Sequence, residues 1–192
     1  MKVIRNYLYN VGYQVLAIIV PLITSAYVAR VLRPEGVGAN AFTNSVIQYF
    51  ILFASMGIGY YGNRQIAYVR RNQQKMANTF WEIQIVKTIM TLIAFIAFEV
   101  FMIFYTKQPE YMWAQSINLV AVAFDISWFY EGIEDFKVTV LKNSFVKIVS
   151  MIAIFIFIKG PNDVTLYIAV LAISTLLGNL TLWPNIRRDL PK

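Results

Sequence analysis

Six long apolar stretches occupy most of this chain, and the short gaps between them hold lysine and arginine on alternate sides; no other feature limits the possible folds as much. Covering about 30 Å of bilayer hydrocarbon takes about 20 mainly apolar residues, and a helix satisfies its backbone hydrogen bonds there within its own segment. The stretches fall near Val11–Ala29, Ala39–Gly57, Phe80–Tyr105, Tyr111–Tyr130, Asn143–Ile158 and Val164–Trp183. The fifth is the shortest and can begin inside Val138–Lys142. The expected fold is all-α, a polytopic membrane helix bundle of six transmembrane helices forming one unit over residues 1–192. A composition 58% hydrophobic and 16% aromatic agrees, being far from the balance of a soluble domain. Trp81, Tyr105, Tyr111, Trp113, Trp128 and Trp183 stand near the stretch ends, where amphipathic rings favour the headgroup zone.

Cations set the expected orientation, because Lys and Arg in short loops are retained on the cytoplasmic side. One set of ends and gaps holds eleven: Lys2, Arg5, Arg64, Arg70, Arg71, Lys75, Lys137, Lys142, Arg187, Arg188 and Lys192. The other holds four, Arg30, Arg33, Lys107 and Lys159, which puts both termini in the cytoplasm. Lys2 and Arg5 before an apolar run ending at Thr24-Ser25-Ala26 also outline a cleaved signal peptide. Asn10, Gln14 and Pro21 interrupt that run, and its removal would spoil the charge parity, so it is counted as a span. The external connections Val31–Gly38, Thr106–Glu110 and Lys159–Asp163 are too short for a domain. Gly57, Gly59 and Gly62 break the chain after the second stretch, and Arg64–Lys75 reads as a basic segment suited to an interfacial helix.

The net charge of +7 is spread around the spans instead of gathered on a soluble module, so anionic lipid headgroups, not nucleic acid, are the expected counter-charge. With no cysteine and no histidine, disulfides, thiol chemistry and the usual zinc sites are excluded, and neither a metal nor another cofactor is expected. Catalysis would have to use carboxylates, hydroxyls or lysine.

Function is therefore sought in polar residues within the spans, which are expensive in lipid and usually face a bundle interior or water. Each span offers one helical stripe: Asn10, Gln14, Pro21 and Thr24 or Ser25; Asn40, Asn44, Gln48 and Ser55; Gln84, Lys87, Thr88 and Thr91; Gln115, Asn118 and Asp125; Asn143, Lys147 and Ser150; Ser174, Gly178 and Thr181. Such stripes serve helix packing as well as hydrated pathways. Lys87 and Lys147 are the sharpest signals, since a mid-span ammonium costs about 2.5–3.5 kcal/mol on insertion scales unless it finds water, a partner or the interface by snorkelling. Asp125 is a partner for one of them or the carboxylate of an ion-coupled step. Glu131, Glu134 and Asp135 read as a solvated loop.

Three strings then match a known pattern. VLRPEGVGANAFTNSVIQYFILFASMGIGYYGNRQIAYVR, Val31 to Arg70, resembles the first inter-helix loop, second helix and basic loop of bacterial polysaccharide flippases. DISWFYEGIEDFKVTVLKNSFVKI, Asp125 to Ile148, resembles their fourth-to-fifth helix junction, and STLLGNLTLWPNIRR, Ser174 to Arg188, the end of their sixth helix. The family comprises the O-antigen, capsule and exopolysaccharide flippases of the multidrug, oligosaccharidyl-lipid and polysaccharide exporter superfamily. Its members have two six-helix lobes around a cavity that opens alternately to each side. The resemblance implies an amino-terminal lobe with the carboxy-terminal lobe absent, and movement of undecaprenyl-pyrophosphate-linked oligosaccharide between leaflets by alternating access. The partners implied are that lipid-linked cargo, membrane lipids, a second lobe or homodimer copy, and other polysaccharide-assembly proteins. On this reading Arg30, Arg64, Lys87 and Lys147 supply positive potential for a diphosphate, while Asn44, Gln48, Gln84 and Asn118 exchange hydrogen bonds with sugar hydroxyls. Arg30 matches a cationic position in a Tyr-x-x-Arg-x-Leu string, here Tyr27 to Leu32. The alternatives are a drug or ion antiporter of the same superfamily coupled through Asp125, and a membrane enzyme of polysaccharide assembly. Short external loops and the lack of a nucleotide-sugar domain weigh against the enzyme.

Overall fold

The computed structural model describes the backbone of residues 2–105 and 107–189, and the side chains of residue 15 and of residues 18–105 and 107–186. Nine helical segments and no strand occur among the described residues: α1 (Lys2–Val31), α2 (Arg33–Ser55), α3 (Ile58–Val69), α4 (Gln73–Phe104), α5 (Pro109–Ala123), α6 (Ser127–Gly132), α7 (Phe136–Phe157), α8 (Val164–Leu180) and α9 (Trp183–Asp189). Among the described residues, four stretches are long and apolar enough to cross a membrane: Arg33–Val69, Gln73–Phe104, Phe136–Phe157 and Val164–Ile186. Large apolar side chains cover their outsides; Leu92, Ile96, Ile103, Phe104, Ile152 and Ile156 are all exposed. In water such a surface would aggregate, whereas hydrocarbon solvates it. The chain is thus a membrane protein with an all-α bundle fold.

The helices overrun the apolar stretches, because a helix continuing past hydrocarbon keeps its backbone bonds made while polar side chains reach water. The expected connection Val31–Gly38 shrinks to Leu32, since Pro34 suits the first turn of α2 and Arg33, at φ 61°, takes the sharp reversal. The fifth span starts at Phe136, before Asn143, which moves Lys142 out of a loop and into α7. Arg64–Lys75 is not one interfacial helix. It is the end of α3, a tight turn and the start of α4, whose N-cap Asn72 accepts from the Lys75 N–H at 3.0 Å. Gly59 and Gly62 lie within α3; the break falls at Met56 and Gly57, adjacent residues at φ 32° and 74°, the second a conformation that glycine adopts without strain. The side chains of Lys2, Arg5, Asn10, Gln14, Arg187 and Arg188, and the whole of Lys192, lie outside the described residues.

Three packed clusters hold the bundle together. At one end Ile58 and Ile66 of α3, Phe80 of α4, Trp128, Phe129 and Tyr130 of α6, and Ile186 of α9 form an aromatic core. The Tyr130 hydroxyl donates to the Leu182 carbonyl at 2.7 Å, and Arg70 pairs with Glu134 at 2.7 Å, so two expected cytoplasmic junctions are neighbours. At the other end Val28, Leu32, Ile154, Ile158, Val164 and Ile168 tie α1 to α7 and α8. There the Asp163 carboxylate accepts from the Lys159 and Gly160 N–H groups, both at 2.8 Å, and these bonds hold its carboxyl below the usual carboxylate range. Ile47, Ala54, Ala94, Phe98, Met112 and Leu119 form the third cluster, between α2, α4 and α5.

Candidate functional site

The fourth stretch is not a continuous helix. α5 ends at Ala123 and α6 begins at Ser127, leaving a break inside an apolar region. The last carbonyls of a helix lack intrahelical donors, and lipid supplies none. Here side chains from other helices supply them. Asn179 Nδ2 donates to the Ala121 carbonyl at 2.7 Å, Gln84 Nε2 to Ala123 at 2.8 Å, and Trp183 Nε1 to Phe124 at 2.9 Å. The Lys87 ammonium donates to the Asp125 carbonyl. The local sequence favours the break: Asp125 Oδ1 accepts from the Ser127 N–H at 3.1 Å and from its hydroxyl at 2.5 Å, a side-chain turn that competes with helix.

A third helix completes the charge balance. Lys142 Nζ of α7 lies 3.6 Å from Asp125 Oδ1 and donates to Ser127 Oγ at 3.0 Å and Asn179 Oδ1 at 3.1 Å. Close packing brings it there, for Gly178 of α8 lies against Val146 and the Lys142 stem, where a Cβ would have no room. Lys142 and Asn179 are the functional residues that the sequence reading missed. An Asp-x-Ser string inside an apolar stretch signals the break, and the apolar rhythm Val138, Leu141, Phe145 carries the helix back through Lys142.

Beside the break lies a chamber of about 290 Å³ lined by Ser55, Gly59, Lys87, Asp125, Trp128 and Glu131, among others. It shares Ile51 and Ser55 with an open groove of about 510 Å³ along α2, lined by Asn44, Ser45, Gln48 and Tyr49. Asn44 and Gln48 are exposed and bonded to each other at 3.4 Å. On α3 the exposed positions Tyr60, Arg64 and Tyr68 recur every four residues, with Arg64 over the Tyr68 ring at 5.6 Å.

The residues singled out from sequence thus fall into separate groups. Asn44 and Gln48 share the α2 groove, and Arg64 is exposed on α3. Lys87 and Asp125 meet at the chamber, and Gln84 is buried against the break, its Oε1 having no partner among the described residues. Asn118 donates to Gln115 at 2.9 Å, which in turn donates to Asn40 at 3.2 Å and Thr43 at 3.4 Å, so that group joins α5 to α2. Arg30 is exposed at the end of α1, and Lys147 is half-buried on α7, five residues beyond Lys142. Thr88 and Thr91 bond back to their own helix, to the carbonyls of Gln84 and Lys87.

These features define a polytopic, all-α membrane protein with a broken helix, a polar groove and a charged side chamber. The chain belongs to the family described as polysaccharide biosynthesis protein, which matches residues 3–190. Among its relatives is a protein of Escherichia coli (strain K12), 26% identical over 165 residues, covering 84% of this chain and 40% of the relative. Another, of Shigella dysenteriae, is 26% identical over 147 residues, covering 75% of this chain and 37% of the relative. Both are named as O-antigen transporters, and the chain spans about two-fifths of their length. No solved structure matches the chain.

Proposed function

We propose that this chain forms one six-helix lobe of a flippase, which carries undecaprenyl-pyrophosphate-linked oligosaccharide from the cytoplasmic to the outer leaflet of the bacterial inner membrane. Both termini lie in the cytoplasm, and a second lobe, in the same protein or a second copy, closes the cavity for alternating access. The observation that carries this reading is the polar face of α2 and α3. Asn44, Ser45, Gln48, Tyr49, Tyr60 and Arg64 are exposed along a stretch otherwise apolar enough to span the membrane. Hydrocarbon cannot satisfy those groups, so they suit a water-filled path, where amides and hydroxyls trade bonds with sugar hydroxyls and a guanidinium meets phosphate in two-pronged fashion. Membership of a polysaccharide family and transporter relatives agree with it.

In this reading Arg64 is the path's cation, Lys87 charges the side chamber, and Asp125 is a fixed counter-charge to Lys142. Transport then needs no bond-making step by the chain, in contrast to a polymerase or glycosyltransferase. Flipping of a fluorescent lipid-linked oligosaccharide in proteoliposomes tests it. Gln48→Ala combined with Arg64→Ala should slow flipping roughly tenfold, the equivalent of one lost charged hydrogen bond. Unchanged rates in that variant and in Lys87→Ala would refute the assignment.

A further inference from the structure

The chamber has bonding capacity that its structural duties leave unused. Asp125 Oδ1 serves Ser127 and Lys142, but Oδ2 has no hydrogen bond among the described residues. Glu131 Oε2 accepts from Asn63 Nδ2 at 3.3 Å, and Oε1 is likewise unused. The Lys87 ammonium has protons beyond the one directed at the Asp125 carbonyl. Trp128 also lines the chamber, with Phe80 stacked on it at 5.5 Å and its edge seated on Gly62, and its buried indole N–H has no acceptor among the described residues. At about 290 Å³ the space sits near the lower edge of small-molecule sites, about 300–1,000 Å³. It matches roughly ten waters in liquid, enough for one sugar ring and too small for a repeat unit.

The lining chooses among occupants. Asp125 and Glu131 are balanced by Lys87 and by Lys142, 3.6 Å from Asp125, so the space carries no net charge to draw in a phosphate or a simple cation. A neutral polyol meets both signs of charge: its hydroxyls donate to carboxylate oxygens and accept from the lysine, while an indole gives an apolar wall for the ring's C–H face. We propose that the chamber is a subsite for a single neutral pyranose of the glycan cargo, with Glu131 and Asp125 setting sugar preference. Access is from the α2 groove past Ser55. The identity of the cargo rests on the flippase reading above.

Saturation-transfer NMR on the full-length protein in nanodiscs reads the subsite, with free glucose, galactose, N-acetylglucosamine and rhamnose as probes. Saturable transfer to at least one of them is expected, about tenfold weaker in Glu131→Gln and unchanged in the control Glu99→Gln. Glu131→Gln is the decisive variant, since an amide oxygen preserves the bond from Asn63; Asp125→Asn, which also disturbs the break, is the second. No saturable transfer from the wild-type protein to any probe, or equal transfer in Glu131→Gln, overturns the subsite. The flipping assay separates the two ideas. Flipping without hexose binding keeps the flippase and removes the subsite; hexose binding lost in Glu131→Gln without flipping keeps the subsite and removes the flippase.

Discussion

Lys142 shows how a single charge can be visible in a sequence and still be misplaced. A lysine just before a hydrophobic stretch looks like a loop cation, and only the packing of α7 on α8 turns it toward Asp125. Its side chain is 11% exposed and that of Asp125 38%, so the pair is shielded on one side and open on the other. Removing one member of a fully buried pair costs about 3–5 kcal/mol, and the partial exposure lowers the expectation for Lys142→Met to about 1–3 kcal/mol. Thermal unfolding in detergent should show a loss of several degrees, with part of it recovered in Lys142→Met/Asp125→Asn. An unchanged midpoint for Lys142→Met would mean that the pair contributes nothing. Lys87 and Gln84 were legible as costly residues within a span. Their partners were not, because a backbone carbonyl becomes an acceptor in need only after α5 has ended, and that ending is a three-dimensional event.

Among the elements, α3 and α6 are locked by reciprocal glycines. A Cβ on Gly62 would stand 2.5 Å from the Trp128 ring, and one on Gly132 would stand 2.7 Å from Ile66. Small residues let helix backbones approach closely where no hydrophobic effect drives them together. Gly62→Ala and Gly132→Ala should each cost about 1–3 kcal/mol through overpacking. Gly59→Ala, with nothing within 4 Å of the added methyl, should be neutral or slightly stabilising, since alanine is the better helix former. Equal thermal midpoints for Gly62→Ala and Gly59→Ala would refute the lock. The glycines were read from sequence as breakers after the second stretch, and one of them, Gly57, is. The other two are contact surfaces, a distinction that depends on which helix lies opposite and that no local pattern contains.

At the scale of the whole molecule, hydropathy made the class legible, while the boundary between lipid-facing and path-facing surface had to come from the bundle. Each polar stripe was compatible with a pathway, yet those of the third and fourth spans serve the protein's interior: Gln84 and Lys87 cap the broken helix, and Gln115 and Asn118 join α5 to α2. Among the described residues, the groups that point outward include the polar face of α2 and α3. Residues 1–192 hold no cysteine, so single cysteines introduced there report without background from this segment. A membrane-impermeant thiol reagent should label Asn44→Cys, Gln48→Cys and Tyr60→Cys in intact membranes if that face lines a watery path. Leu92→Cys and Ile96→Cys, exposed on α4 amid apolar neighbours, should stay unlabelled because a thiol in hydrocarbon does not ionise. The ratio of the two sets is the measure. A tenfold or greater excess on α2 and α3 assigns that face to water, whereas equal and slow labelling at every position would place it against lipid and leave the polar residues of Asn44–Arg64 without the solvent that their exposure demands.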